Sequence, residues 1–218
     1  RPYADALRKM IDIGIPAMIE QLLMRAGIII FSKAVAGLGT SAYATHQVCM
    51  NIQALSFMTG QAFAVSATSL VGQSLGKRRE DMAQAYCHKT RSVGFVSAII
   101  LMLIFIFFGG DIVALYNSDI TIIETGAHIM LFIAFMQPFQ TSQFIIAGGL
   151  RGAGDTKATA MITSVTVLIL RPVLAIVLIR MGFGLYGAWM AFASDQLVRS
   201  LLILLRYNSG KWKLAYRK

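Results

Sequence analysis

Long apolar stretches separated by short charged segments constrain this chain more than any other feature of its sequence. Residues 129–146 form one such stretch and residues 158–179 form another. A helix needs roughly 20 apolar residues to cross the ~30 Å hydrocarbon core of a bilayer. Only 14% of the 218 residues are charged, whereas soluble domains have about one quarter. The pattern therefore predicts an integral membrane protein.

Hydropathy and helix-breaking residues together predict six membrane helices. Their bounds are residues 11–35, 44–75, 92–108, 120–150, 158–179 and 185–205. The third follows an amphipathic segment and is closed by Gly109-Gly110, the fourth is interrupted at Gln137-Pro138, and the fifth contains Pro172. A bilayer requires each segment to pair its own backbone groups, and these apolar runs do not alternate as barrel strands do. The predicted fold class is an all-α integral membrane bundle of six helices, one membrane domain over residues 1–218.

The basic residues predict the orientation of these helices. Fifteen of the 20 Lys and Arg residues lie in the amino-terminal flank, after helices two and four, and in the tail, all on one side of a six-span topology. On the opposite side, residues 36–43 carry no charge and residues 109–119 carry two acids and no base. Basic loops stay in the cytoplasm, so both ends are predicted to be cytoplasmic, in the plasma (inner) membrane. The formal charge of +10 forms no basic stripe with interleaved aromatics, which argues against a nucleic-acid partner.

Charged residues inside the predicted helices are candidates for function, because a charge in the membrane interior is costly. Helix one carries Glu20, Arg25 and Lys33, and Lys33 is near enough to the outer end to snorkel. Glu20 and Arg25 are about 140° apart around a helix, so they are not natural partners. Glu20 is therefore predicted to hold a proton, a cation or an arginine of another helix, and these alternatives stay open.

The last two helices carry further charges. Asp195 and Arg199 are four residues apart, which predicts an ion pair along one face of helix six. Arg171 precedes Pro172, and this pair predicts a local break where the guanidinium reaches freed carbonyls or water.

Amide side chains are unusually frequent in the second and fourth helices. They predict either close helix packing or the lining of a polar cavity; the candidates are Gln47, Asn51, Gln61, Gln137 and Gln140. The two cysteines have no metal or disulfide spacing. We find no nucleophile with a base, no metal-ligand cluster and no phosphate loop, and therefore predict no enzyme, no catalytic residues, no metal site and no cofactor.

Three segments resemble the multidrug and toxic compound extrusion (MATE) family of the MOP superfamily. The first runs from Ala44-Thr45-His46-Gln47-Val48 through Val71-Gly72-Gln73-Ser74-Leu75-Gly76. The second is Leu150-Arg151-Gly152-Ala153-Gly154-Asp155-Thr156-Lys157. The third is Gly14-Ile15-Pro16-Ala17 with Ile19-Glu20-Gln21-Leu22-Leu23-Met24. They occur in the order of the family's second half.

The resemblance implies one half of a two-lobe, alternating-access transporter. The family has twelve helices, so this chain would be the carboxy-terminal lobe, helices seven to twelve, partnered by an amino-terminal lobe and the lipid bilayer. The implied activity is export of small organic cations or amphipathic compounds in exchange for sodium ions or protons. The alternatives are a lipid or polysaccharide-precursor flippase of the same superfamily, and a channel or non-transporting membrane module.

The resemblance also assigns roles to residues. Glu20 would be the cation-coupling residue, although in some branches the acid lies one turn further on, where this chain has Met24. Met24 joins the amide side chains as a candidate for the cavity lining. Arg151, Gly152, Gly154 and Asp155 would form a conformational turn at the cytoplasmic face, in which the two glycines let the backbone turn tightly.

Overall fold

The computed structural model describes the backbone of residues 2–213 and, within it, the side chains of residues 11, 14, 15, 18, 19 and 21–213. Over this range the chain contains helices and connecting turns and no strand. The helices are α1 (Pro2–Ala36), α2 (Thr40–Gly76), α3 (Glu80–Ala114), α4 (Ile120–Gly152), α5 (Thr156–Val165), α6 (Arg171–Leu178) and α7 (Gly184–Asn208). Two π-helical turns, Thr166–Leu170 and Ile179–Phe183, follow α5 and α6.

Four helical stretches in the described residues are long and apolar enough to cross a membrane. The last, Thr156–Asn208, has 53 residues, which at 1.5 Å per residue would be about 80 Å long and more than twice the bilayer core. It turns back at Gly182 and Gly184, whose φ angles of +92° and +54° suit glycine. With α1, the chain therefore makes six helical passes, which confirms the predicted all-α six-helix bundle.

Two predicted helix interruptions are wrong. Gly109-Gly110 does not end the third helix, which is continuous over Glu80–Ala114. Gly109 instead permits close packing, since a Cβ there would lie 2.9 Å from the Cβ of Met130. The fourth helix likewise continues through Pro138, because neighbouring helices can satisfy the backbone groups that a proline frees in a membrane helix.

Close contact between α2 and α4 forms the centre of the bundle. A Cβ on Gly148 would overlap the backbone of Ala64, and a Cβ on Gly152 would overlap that of Thr68. Thr68 also donates a hydrogen bond of 2.9 Å to the Gly148 carbonyl. The small residues of α2 and the glycines of α4, each spaced by four, therefore bring the two backbones together, as small residues do between membrane helices.

The buried apolar side chains form two clusters along the bundle. One surrounds Trp189 and Phe31, at the end where α6 turns into α7. The other surrounds Leu150 and Ile203, at the end where α4 turns into α5. Buried polar side chains from α2, α4, α6 and α7 lie between these clusters and form the site described next.

Candidate functional site

Two arginines share one buried carboxylate between α6 and α7. Arg171 donates to Asp195 Oδ2 from Nε at 3.0 Å and from a terminal nitrogen at 2.5 Å. Arg199 donates to the same oxygen at 3.0 Å. Their exposed fractions are 4%, 0% and 3% for Arg171, Asp195 and Arg199. The predicted Asp195–Arg199 ion pair is thereby confirmed.

Arg171 has a partner that the sequence did not predict, because its guanidinium reaches an acid of α7. The π-helical turn Thr166–Leu170 immediately precedes it, and such turns are frequent at functional sites. Its Cζ lies 4.4 Å from the ring centroid of Phe192 and 5.9 Å from that of Phe31. These distances are within the range of cation–π attraction, so both the carboxylate and the aromatic rings fix the guanidinium.

A chain of buried amides extends from this cluster into the bundle. Gln196 accepts a hydrogen bond from Arg199 and donates to Gln140 Oε1 at 2.9 Å. Gln53 donates to the same Oε1 at 2.6 Å. One turn earlier on α4, Gln137 Oε1 accepts a hydrogen bond of 2.9 Å from the Ser56 hydroxyl. The chain joins α7, α4 and α2, and buried polar groups paired in this way fix helices in register.

A cavity of about 140 Å³ lies beside the network and is bordered by α1, α2, α4, α7 and the segment of α5 to α6. Its polar lining includes Gln61, Gln143, Arg151, Arg171 and Arg199. Its apolar lining includes methionine and aromatic side chains from several helices, among them Met24, Met50, Phe57, Phe144 and Phe192. The cavity therefore combines polar groups with adaptable apolar side chains, a mixture that suits amphipathic molecules.

The predicted lining residues fall into three groups. Met24 and Gln61 line the cavity. Gln137 and Gln140 are fully buried in the amide chain. Gln47 and Asn51 lie on exposed faces of α2, and Gln47 donates to the Tyr43 hydroxyl at 2.6 Å.

Glu20 lies on α1, but its side chain is outside the described residues. The next residue, Gln21, lines the cavity, as does Met24 one turn further on. The described part of the chain contains no group of three or more His, Cys, Asp and Glu side chains that could hold a metal ion.

The turn between α4 and α5 is tied to the end of α7. Arg206 donates to both oxygens of Asp155, at 2.8 and 3.1 Å. Gly154, at φ +85°, ends α4 with backbone hydrogen bonds from Gly154 to Arg151 and from Asp155 to Leu150, which is a Schellman motif. Gly152 is still helical and serves the contact with Thr68, so of the two glycines only Gly154 provides the tight turn.

Sequence reasoning missed part of this site. From the sequence, Arg206 is only one of the basic residues of the tail, and Gln196 and Ser56 carry no predicted role. Gln196 could have been found from its place between Asp195 and Arg199 on an otherwise apolar helix. The Asp155–Arg206 pair joins residues 51 positions apart, and a spacing rule for one helix does not reach that far.

The described residues form an all-helical, multi-pass membrane bundle with a buried charge network beside a cavity of mixed polarity. The model of the MatE family matches residues 16–177 of this chain. The chain therefore belongs to the MatE family.

Relatives among curated proteins agree with this assignment. The probable multidrug resistance protein NorM of Thermotoga maritima is 28% identical over 97% of this chain and 46% of its own length. The multidrug resistance protein MdtK of Proteus mirabilis is 29% identical over 74% of this chain and 35% of its own length. The chain spans about half the length of the curated relatives it matches, or less.

Solved structures show the same fold. A MATE protein in the straight conformation superposes with a TM-score of 0.89, at 14% identity, over 98% of this chain and 48% of that chain. A MATE protein in the bent conformation gives a TM-score of 0.88 at 15% identity over the same shares. The six helices are therefore arranged as in one half of a twelve-helix MATE transporter.

Proposed function

We propose that this chain is the carboxy-terminal lobe of a secondary active multidrug efflux antiporter, which exports organic cations or amphipathic compounds in exchange for sodium ions or protons. The observation that carries the proposal is the cavity, because α1 borders it beside the charge network that Arg171 of α6 forms with Asp195 and Arg199 of α7. An amino-terminal lobe would complete the transport pathway, and relatives named for multidrug resistance are about twice as long as this chain.

Glu20 is the coupling residue in this proposal. It is four residues before Met24 and eight before Ile28 on α1, and both of these residues line the cavity. At helical register, positions four apart lie on nearly the same face. A carboxylate in a membrane interior is stabilised when it takes up a proton or a cation. Occupation of Glu20 by the coupling ion would therefore alter the electrostatics of the cavity from α1.

The turn that contains Gly154 and Asp155 is the mechanical part of the proposal. It links α4, which carries the amide chain, to α5, which leads to Arg171. Its bond to Arg206 lets α7 move together with that turn. In the proposed orientation this joint lies at the cytoplasmic face of the plasma membrane, with both ends of the segment in the cytoplasm.

Substitution of Glu20 tests the proposal in the complete protein. Glu20→Gln keeps the size and polarity of the side chain and removes its ability to ionise. We expect normal expression but loss of drug resistance and of ion-linked export in a drug-sensitive bacterial strain. Glu124→Gln is the matched control, because Glu124 is exposed near the start of α4, and it should export as the wild type does. Normal ion-linked export by Glu20→Gln would remove Glu20 from the coupling role.

A further inference from the structure

The cavity is lined by basic side chains. Among the described residues on its wall are Arg151, Arg171 and Arg199, and none of the described wall residues is an acid. Asp195 contacts two of these arginines but is not part of the wall. Three arginines against the one Asp195 carboxylate leave a positive formal charge among the described residues at the cavity. A buried positive charge in a membrane protein attracts an anion.

Two polar atoms at this wall have no hydrogen-bond partner among the described residues. They are Oε1 of Gln143 and Nε of Arg151. Gln143 is 3% exposed, and both residues line the cavity. Buried polar atoms are normally hydrogen-bonded. Of the two, only the Arg151 Nε–H is a donor, so it is the atom that indicates a ligand with an acceptor oxygen.

The size of the cavity limits what that ligand can be. Its volume is about 140 Å³, which exceeds the ~30 Å³ of one water molecule and falls below the roughly 300 Å³ at which drug-sized pockets begin. The cavity can therefore enclose a small headgroup. The aromatic side chains of the lining, Phe57, Phe144 and Phe192, can accept the adjoining hydrophobic part.

We propose that this cavity binds the acidic headgroup, carboxylate or phosphate, of an amphipathic molecule. A guanidinium presents paired N–H groups whose geometry matches both headgroups. The inference rests on the proposed function and deepens it, since it names the class of amphipathic substrate that this lobe selects. A simple organic cation would meet like charge here.

Arg151 is the residue through which the site can be tested. Arg171 and Arg199 both hold the buried Asp195, so their loss would disturb the bundle itself. Arg151 is half-buried and takes part in no ion pair found in the described residues. Arg151→Gln removes its charge, and Arg151→Lys keeps the charge. Arg180→Gln removes one charge from an exposed position away from the cavity and is the matched control.

The experiment measures binding of 11-(dansylamino)undecanoic acid and of its methyl ester to the purified complete protein by fluorescence. We expect the acid to bind the wild type at least about tenfold more tightly than the ester, as a charge-assisted hydrogen bond provides. Arg151→Gln should lose most of this preference. Arg151→Lys should keep part of it, because lysine retains the charge but not the paired N–H groups, and Arg180→Gln should keep all of it. Equal affinities of acid and ester for the wild type would overturn the inference, and so would an unchanged preference in Arg151→Gln.

Two further measurements distinguish a lipid headgroup from a soluble acidic amphiphile, and the present inference from the proposed antiporter function. Nanodiscs of phosphatidylglycerol should displace the acid more than nanodiscs of phosphatidylcholine if the headgroup belongs to a lipid, and equally if it belongs to a soluble amphiphile. Gradient-driven transport of ethidium and of the dansyl acid in proteoliposomes tests the antiporter itself. Gradient-driven transport of either compound without a binding preference for the acid would overturn only the present inference. An acid preference without any gradient-driven transport would overturn only the proposed function.

Discussion

Replacement of Asp195 by asparagine should destabilise the bundle strongly. The Asp195 carboxylate has no exposed surface and accepts three hydrogen bonds from two guanidinium groups. Asparagine retains the shape but removes the only carboxylate that the described residues place between Arg171 and Arg199. Removal of one partner from a buried ion pair costs about 3–5 kcal/mol. We expect the free energy of unfolding to fall by about this amount.

A second substitution separates charge from packing. Arg171→Met alone leaves Asp195 paired with Arg199 and should cost about 1–2 kcal/mol through the lost hydrogen bonds. Asp195→Asn alone leaves the Arg171 cation without its carboxylate. The double variant removes that cation, and the methionine at position 171 can pack between Phe192 and Phe31. The double variant should therefore be more stable than Asp195→Asn, since buried ion pairs can be replaced by apolar residues at little cost.

Thiol reactivity during heating can measure both effects. Cys49 and Cys87 are buried and unpaired, so a thiol-reactive fluorophore reports unfolding of the purified complete protein. The unfolding midpoint of Asp195→Asn should fall by roughly 10 °C, from about 2–4 °C per kcal/mol for domains of this size. If the losses of stability from Asp195→Asn and Arg171→Met simply add in the double variant, the two residues are not coupled through their charges, and the electrostatic explanation of this cluster is refuted.

Two other substitutions test the packing and the joint. Gly152→Ala would press a methyl group against the backbone of Thr68 and should lower the free energy of unfolding by about 1–3 kcal/mol. Gly76→Ala is its control in the same thermal assay, because a methyl group there meets no atom within 4 Å. Equal unfolding midpoints for the two variants would contradict the close contact between α2 and α4. Arg206→Gln releases Asp155 and should slow drug export severalfold at unchanged expression. Arg206→Lys should be intermediate, because it keeps the charge but loses the paired N–H groups. A wild-type export rate in Arg206→Gln would show that the Asp155–Arg206 pair does not couple the turn to α7.

The six helical passes can be predicted from the sequence, because only apolar segments of a set length can cross a bilayer. The sequence also predicts the Asp195–Arg199 pair, since both residues lie on one helix at a fixed spacing. It does not predict the partner of Arg171, which depends on how α7 packs against α6 and on the π-helical turn before Arg171. For the same reason, Gln47 and Gln53 look alike in sequence, yet one is exposed and the other is buried against Gln140.

Transport in proteoliposomes is the decisive test of ion-coupled export by the complete protein. The complete protein would be reconstituted, and uptake of a fluorescent organic cation and of an acidic amphiphile would be measured under separate sodium and proton gradients. We expect uptake of at least one of the two compounds under one of these gradients, saturation with substrate, and loss of the gradient dependence in Glu20→Gln. Substrate movement that is independent of both gradients, or ion flux far faster than an alternating carrier allows, would contradict ion-coupled export.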